Sequence, residues 1–322
     1  MKHLLSLERL SRADLDRILQ QAAVWKKVRG SSHPLPLAGQ TWAMLFSKSS
    51  TRTRVSFEVG IRELGGQVIF LSASELQLGR GEPIKDTARV LGRMTDGAVI
   101  RTFAQSDVEE FALHSGIPTI NALTDEEHPC QILADVFTFQ EKRGSIQGKV
   151  VAFIGDGACN VATSWIFAAA KLGFELRIAA PAKYQSTIQP MRRLDVRLMS
   201  GGGDARTNKT RAEVECASGG KIVATQNLEE AAAEADLLYT DVWVSMGKEA
   251  ESAERVKNLT GYQLNLALLK LAKPNALVMH CLPAYRGKEI DDATFEAHAQ
   301  TIFDQAENRL HVQKAVLEWA AA

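Results

Sequence analysis

The 322-residue sequence has no excess of either charge: 38 Lys and Arg balance 38 Asp and Glu, giving a formal net charge of zero. Bulk composition therefore offers no basic surplus for nucleic acid and no acidic tail. A local Arg cluster for a small anion remains compatible with a zero sum. Cysteine is scarce, with four residues (Cys130, Cys159, Cys216 and Cys281) and no Cys-x-x-Cys pair. That disfavours a disulfide framework and a structural zinc site, and it fits a reducing cytoplasm. No apolar run approaches the ~18 residues of a membrane helix. The opening Met-Lys-His-Leu-Leu-Ser-Leu-Glu is too short for a signal core and too acidic for a transit peptide. The expectation is a cytoplasmic protein that binds neither nucleic acid nor membrane.

What is present is a rhythm. Hydrophobic content is 45% and charged content 24%, ordinary for a globular chain. The length favours two domains over one core. Ser11 and Asp14 resemble a capping box, and Leu15, Ile18, Leu19 and Ala22 repeat at helical spacing. Strands are predicted at 42–46, 68–71, 98–102 and 118–123, alternating with helices at about 51–64, 84–94, 108–114 and 129–141. The second half repeats the alternation, with strands at 150–154, 175–180, 222–225, 237–240 and 277–281 and a helix from Asn160. An amphipathic helix is predicted over 306–320. Alternating strands and helices imply parallel sheets with crossover helices, an α/β fold of two domains, each a mainly parallel sheet flanked by helices in three layers. The polar break at 144–148 sets the boundary, with domains over 1–145 and 146–305 and a last helix, 306–322, packing back on the first. The Gly-, Lys- and Arg-rich stretch 201–220 reads as a surface excursion.

Five segments carry possible chemistry, each with a plainer alternative. Ser50-Thr-Arg-Thr-Arg54 joins a buried strand to a helix start, where free N–H groups and the helix dipole favour an anion. Arg52 adds a forked cation suited to phosphate. A Ser cap with solvated arginines would look the same. No Walker lysine is present, so this is not a nucleotide P-loop. His128-Pro-Cys-Gln131 could present two polar groups to a carbonyl, or simply begin a helix. Gly155-Asp-Gly157 resembles the start of a dinucleotide fingerprint, but Asn160 replaces the third glycine and no acidic residue closes the next strand. Asp241 and Ser245, in Asp241-Val-Trp-Val-Ser-Met-Gly247, offer acceptors for an ammonium group, or form a strand exit with a turn. Cys281, in His280-Cys-Leu-Pro283, could be a ligand or a nucleophile, but no partner spacing supports either, and a buried small hydrophobe is the commoner role. All five fall at strand ends or helix starts, where open α/β sheets bind ligands.

Four of those segments, 50–54, 128–131, 241–247 and 280–283, together with Glu307-Asn-Arg309, occur in the order seen in ornithine carbamoyltransferases, which the chain resembles over nearly its whole length. Ser56-Phe-Glu-Val-Gly60 and Lys85-Asp-Thr-Ala-Arg-Val-Leu-Gly-Arg93 extend the resemblance. The resemblance implies a carbamoyl phosphate domain, an ornithine domain, an active site in the cleft between them, and a catalytic homotrimer. It implies no cofactor and no metal. By position, Ser50, Thr51, Arg52 and Thr53 would bind phosphate, and Arg101, His128 and Gln131 the carbamoyl group. Gln77 would reach a neighbouring subunit's site. Asn160, Asp241, Ser245 and Met246 would take ornithine's α-amino and α-carboxylate groups, with Cys281, Leu282 and Arg309 beside the reacting centre. Arg54 is expected in a structural salt bridge. The stretch 201–220 and Ala158-Cys159 depart from the family pattern. The alternatives are a carbamoyltransferase for N-acetylornithine or putrescine and, more distantly and resting on Gly155-x-Gly157, a nicotinamide-dependent oxidoreductase.

Overall fold

The computed structural model describes residues 1–72, 81–185, 196–199 and 212–322. The chain forms two compact units, Met1–Phe137 with Glu307–Ala322, and Thr138–Ala306. Each is an α/β body with its own mainly parallel sheet flanked by helices, as the alternation of elements predicts.

The first unit begins with α1 (Arg12–Lys27), capped by Ser11, whose Oγ accepts from Asp14 N at 3.0 Å. Then come β1 (Thr41–Phe46), α2 (Thr51–Glu63), β2 (Gln67–Ser72), α3 (Ile84–Leu91), β3 (Gly97–Arg101), α4 (Gln105–Ser115), β4 (Thr119–Leu123) and α5 (Pro129–Arg143). The sheet order is β2-β1-β3-β4, all parallel. The chain leaves β1 toward β2 on one side and reaches β3 on the other. The strand order therefore reverses beside β1, and the carboxyl ends of β1 and β3 open at that crevice. The register pairs Phe46 with Arg101, and Ser47 N donates to Arg101 O at 2.8 Å.

Packing at this centre is close. Trp42 on β1 is fully buried, and a Cβ added to Gly97 on β3 would lie 2.5 Å from its ring. A buried indole has nowhere to move, so Gly97→Ala should cost about 2 kcal/mol as an overpacked core. A lower urea midpoint, followed by circular dichroism, checks this; an unchanged midpoint would mean the ring yields freely.

The second unit holds β5 (Val150–Ile154), α6 (Asn160–Leu172), β6 (Glu175–Ala179), β7 (Val196–Met199), β8 (Ala212–Cys216), β9 (Lys221–Thr225), α7 (Leu228–Ala232), β10 (Leu237–Thr240), α8 (Ser252–Leu259), α9 (Leu266–Leu269) and β11 (Leu277–His280). Its sheet order is β11-β10-β5-β6-β9-β8-β7. Strands β11 to β9 are parallel, and β8 and β7 add antiparallel edges. The order reverses between β5 and β10. Register pairs Thr240 with Ile154 on one side and His280 on the other. Three successive strand exits, Gly155, Asp241 and Cys281, thus open side by side. Phe153 and Tyr239 stack beneath them at 5.8 Å, with Trp165 edge-on to Tyr239.

Two expectations need correction. The stretch 201–220 is not one excursion: Ala212–Cys216 is a strand paired with β9, while 201–211 lies outside the described residues. The alternation of Ala212, Glu213, Val214, Glu215 and Cys216 is the period of a half-buried strand, obscured by polar neighbours. The last helix, α10, is one run from Asp292 to Ala321, starting well before 306. Residues 307–322 of that run belong to the first unit.

Candidate active site

In the first unit, Ser50 caps α2 and its Oγ accepts from Thr53 N at 3.2 Å. The plain capping role and the anion site are therefore compatible, because one cap leaves other N–H groups of the first turn unsatisfied. Thr51 is exposed, Arg52 half-buried and Thr53 buried. The Arg309 guanidinium donates to Thr53 Oγ1 at 2.7 Å, joining positions 256 residues apart. Arg101 is buried at the end of β3, and His128 and Gln131 are buried at the start of α5. Gln131 Nε2 donates to Asp135 Oδ1 at 3.0 Å.

Two buried polar atoms here, Arg52 Nε and Gln131 Oε1, have no hydrogen-bond partner among the described residues. Such atoms cost free energy until something meets them. His128 records the local field. Burial, then Arg309, Arg101 and Arg52, hold its imidazole well below the usual histidine value. A neutral imidazole among three guanidiniums is a donor for a carbonyl oxygen in a pocket that favours anions.

Sequence reasoning passed over Lys48. It is buried, ion-paired with Asp125 and 4.3 Å from the Phe103 ring. Its place inside the Phe46–Arg54 segment was the available signal. Arg54 is a weaker salt bridge than expected: its Nε stands 3.5 Å from Glu58, half exposed, while its guanidinium lies 3.7 Å over the Phe70 ring. The ring contact is the better-defined one. Gln77 lies outside the described residues.

In the second unit, Asn160 opens α6, whose cap is the Cys159 sulfur accepting from Ala162 N at 3.4 Å. Burial, with Asp241 and Asp156 nearby, pushes the Cys159 thiol well up. A thiol so held is a packing and capping group. Asp241 follows β10, and its Oδ1 accepts from Val242 N at 2.7 Å and from Cys281 Sγ at 2.8 Å. Burial pushes the Asp241 carboxyl up, an effect opposed by His280, the Cys281 thiol and the Val242 amide. Ser245 is half-buried and Met246 exposed on the loop that turns at Gly247.

A buried ion pair ties these segments together. Arg255 on α8 meets Asp156, and both are nearly sealed, at 3% residual exposure each. Arg255 Nε also donates to Trp243 O at 2.7 Å, and its guanidinium faces the Tyr184 ring at 4.9 Å. Asp156 Oδ1 takes Ala158 N at 3.0 Å. One fork thus links the turn before Asn160 to the loop after Asp241. In the sequence Asp156 stood inside the Gly155-Asp-Gly157 turn with no role of its own, and no motif marked Arg255.

The structure gives Cys281 the neighbours that spacing did not. The ligand atoms of Asp241, His280 and Cys281 lie within 4.8 Å of one another, a set able to hold a divalent cation. However, His280 Nδ1 takes the Leu282 N–H at 2.8 Å and lies 4.0 Å from Cys281 Sγ. The sulfur turns to a carboxylate rather than to an imidazole, which is not the arrangement of a Cys–His nucleophile.

One unit therefore gathers guanidiniums around a neutral imidazole, chemistry suited to an anion, and the other holds a buried carboxylate beside a thiol, chemistry suited to a cation. Family models describe both. Residues 2–141 match "Aspartate/ornithine carbamoyltransferase, carbamoyl-P binding domain" and residues 147–320 match "Aspartate/ornithine carbamoyltransferase, Asp/Orn binding domain". The chain is an enzyme of the aspartate/ornithine carbamoyltransferase family. Its similarity runs to the ornithine carbamoyltransferase of Akkermansia muciniphila, 51% identical over 98% of this chain and 97% of that one. Solved ornithine carbamoyltransferases from Pyrococcus furiosus (42% identical, TM-score 0.85, 98% and 96% covered) and Campylobacter jejuni (40%, 0.86, 98% of both) share its fold. The Gly155-Asp-Gly157 turn lies in the region that matches the Asp/Orn-binding model.

Proposed function

We propose that this enzyme transfers the carbamoyl group of carbamoyl phosphate to the δ-amine of L-ornithine, giving L-citrulline and phosphate. The observation that carries the reading is the set around His128: three guanidiniums, a neutral imidazole and the unpaired Gln131 oxygen. A phosphate needs the first, a carbamoyl C=O the second, and a carbamoyl NH2 the third.

The first turn of α2, with Ser50, Thr51, Arg52 and Thr53, holds the phosphate. Arg101, His128 and Thr53 face the carbonyl oxygen as charge develops on it, each donor worth about 3 kcal/mol. Arg309 fixes Thr53. Asn160, Asp241, Ser245 and Met246 bind the amino-acid end of ornithine, with the Asp241 carboxylate taking the α-ammonium. Cys281 and the Leu282 carbonyl direct the δ-amine. That amine attacks the carbamoyl carbon, the carbon–oxygen bond to phosphate breaks, and the nitrogen's proton passes to the departing phosphate or to water. No bond to the protein forms. Carbamoyl transfer requires both sets of residues to act on one substrate pair.

The working form is proposed as a homotrimer in which Gln77 serves a neighbouring subunit. Domains over 1–145, with 306–322, and 146–305 are proposed to bind carbamoyl phosphate and ornithine respectively. No helix among the described residues is long and apolar enough to cross a membrane. The four cysteines are buried thiols outside any disulfide, and we place the enzyme in the cytoplasm, where thiols stay reduced.

Steady-state assays with ornithine, N-acetylornithine and putrescine test the substrate. Ornithine should dominate, and preference for another amine would overturn the assignment. The attacking amine must be neutral, and alkyl amines titrate near ~10.4, so turnover should rise from about pH 6 to about pH 9. A flat profile with chemistry limiting would contradict direct amine attack.

A further inference from the structure

We infer that Glu289 and His280 are positioning residues for the amine half of this reaction: the carboxylate fixes the proton of His280 on Nε2, and the freed Nδ1 holds the Leu282 peptide. The inference rests on the proposed carbamoyl transfer to ornithine.

Glu289 and His280 are both fully buried, and the mechanism above uses neither. Buried titratable side chains are costly, so what they hold matters. His280 is the last residue of β11. Its Nδ1 stands 2.8 Å from Leu282 N. A peptide N–H can only donate, so Nδ1 must present its lone pair, and the ring proton sits on Nε2. Nε2 faces Glu289 Oε1 at 3.3 Å. The same oxygen accepts from Tyr285 N at 2.5 Å. The Glu289 backbone is itself fixed, its carbonyl taking Leu264 N at 2.8 Å. The carboxylate thus reads the tautomer from one side, and the Leu282 amide reads it from the other.

The consequence falls on two residues of the proposed site. Leu282 has φ of 59°, a left-handed conformation that non-glycine residues rarely adopt and that needs external support. The bond from its N–H to His280 supplies that support and sets where the Leu282 carbonyl points. Cys281 lies between His280 and Leu282, and its thiol reaches Asp241 at 2.8 Å. A flipped His280 tautomer would set two N–H groups against each other, release the Leu282 peptide and turn both groups away.

Nitrogen-15 spectra of histidine-labelled full-length enzyme read the tautomer directly, and His280 should be protonated on Nε2. Protonation on Nδ1 would overturn the inference whatever the variants do. Two substitutions then separate the two bonds. In His280→Asn the amide oxygen replaces Nδ1 and keeps the Leu282 bond; in His280→Gln the longer side chain keeps the link to Glu289 and loses Leu282. Asn should retain at least about tenfold more kcat than Gln, with KM for carbamoyl phosphate within about twofold in both. Glu289→Gln should lower kcat and blur the tautomer while leaving that KM alone. Equal loss in Asn and Gln, parallel changes in kcat and both KM values, or loss of folded protein in every variant would show the pair to be a fold determinant only. If the unsubstituted enzyme makes no citrulline, the proposed reaction fails, yet the tautomer measurement still stands or falls by itself.

Discussion

Arg52→Gly should lower kcat/KM for carbamoyl phosphate by about three orders of magnitude. A guanidinium can give phosphate two charge-assisted hydrogen bonds at once, each worth about 2 kcal/mol, and a loss of about 4 kcal/mol is roughly a thousandfold. The fold should survive. Arg52 is only half-buried on the first turn of α2, and glycine at such a position costs at most about 1 kcal/mol. Arg52→Lys should fall between, because lysine keeps the charge and loses the fork. A second readout comes from His128. Arg52 is one of three cations that hold its imidazole down, so its removal should move that ring's titration upward. Near-normal turnover in Arg52→Gly, or a His128 titration that stays put, would place the phosphate elsewhere.

Asp241→Asn should raise KM for ornithine by about two orders of magnitude and leave KM for carbamoyl phosphate nearly unchanged. Removing one partner of a buried ion pair leaves the other charge uncompensated, at a cost of about 3 kcal/mol or more. The pH dependence follows in sign. Burial raises the Asp241 carboxyl, so it stays protonated to a higher pH than an ordinary carboxylate near ~3.9. Only the ionised form holds the α-ammonium, so kcat/KM for ornithine should fall on the acid side earlier than a surface carboxylate would dictate. The asparagine variant should lose that limb. A raised folded value favours the folded state below the unfolded value, and that stabilisation is lost as pH rises through the folded one. Asp241→Asn should therefore be no less stable than its parent at neutral pH. Equal rises in both KM values, or a retained acid limb, would remove Asp241 from the ammonium site.

Much of this was legible because the chemistry is local. Ser50 to Arg54 lies within one strand-to-helix junction, and a junction of that kind declares its free N–H groups in sequence. His128 and Gln131 share one helical turn in the same way. What escaped depends on pairing across strands. Asp241 and Cys281 are forty positions apart, and they meet because Thr240 sits opposite His280 in a parallel register. No spacing rule encodes that. Glu289 escaped because it lies in a turn nine residues past its partner His280, and Arg255 because it acts on Asp156 and a backbone carbonyl. The strand Ala212–Cys216 was hidden by length: five alternating residues beside a polar stretch give a weak periodic signal. The early start of α10 was missed because its first turns, from Asp292, are more polar than its last.

The bond from Arg309 to Thr53 also has a meaning in time. Every strand of the first unit's sheet is made by residue 123, before the second unit begins at Thr138. The Arg309 guanidinium follows the whole of the second unit in sequence, in a stretch that belongs to the first. The first turn of α2 therefore gains its Arg309 contact only after the second unit has been made. If Arg309 serves the carbamoyl phosphate site as proposed, competence to hold that labile acyl phosphate is reserved for a polypeptide whose second unit has already been made.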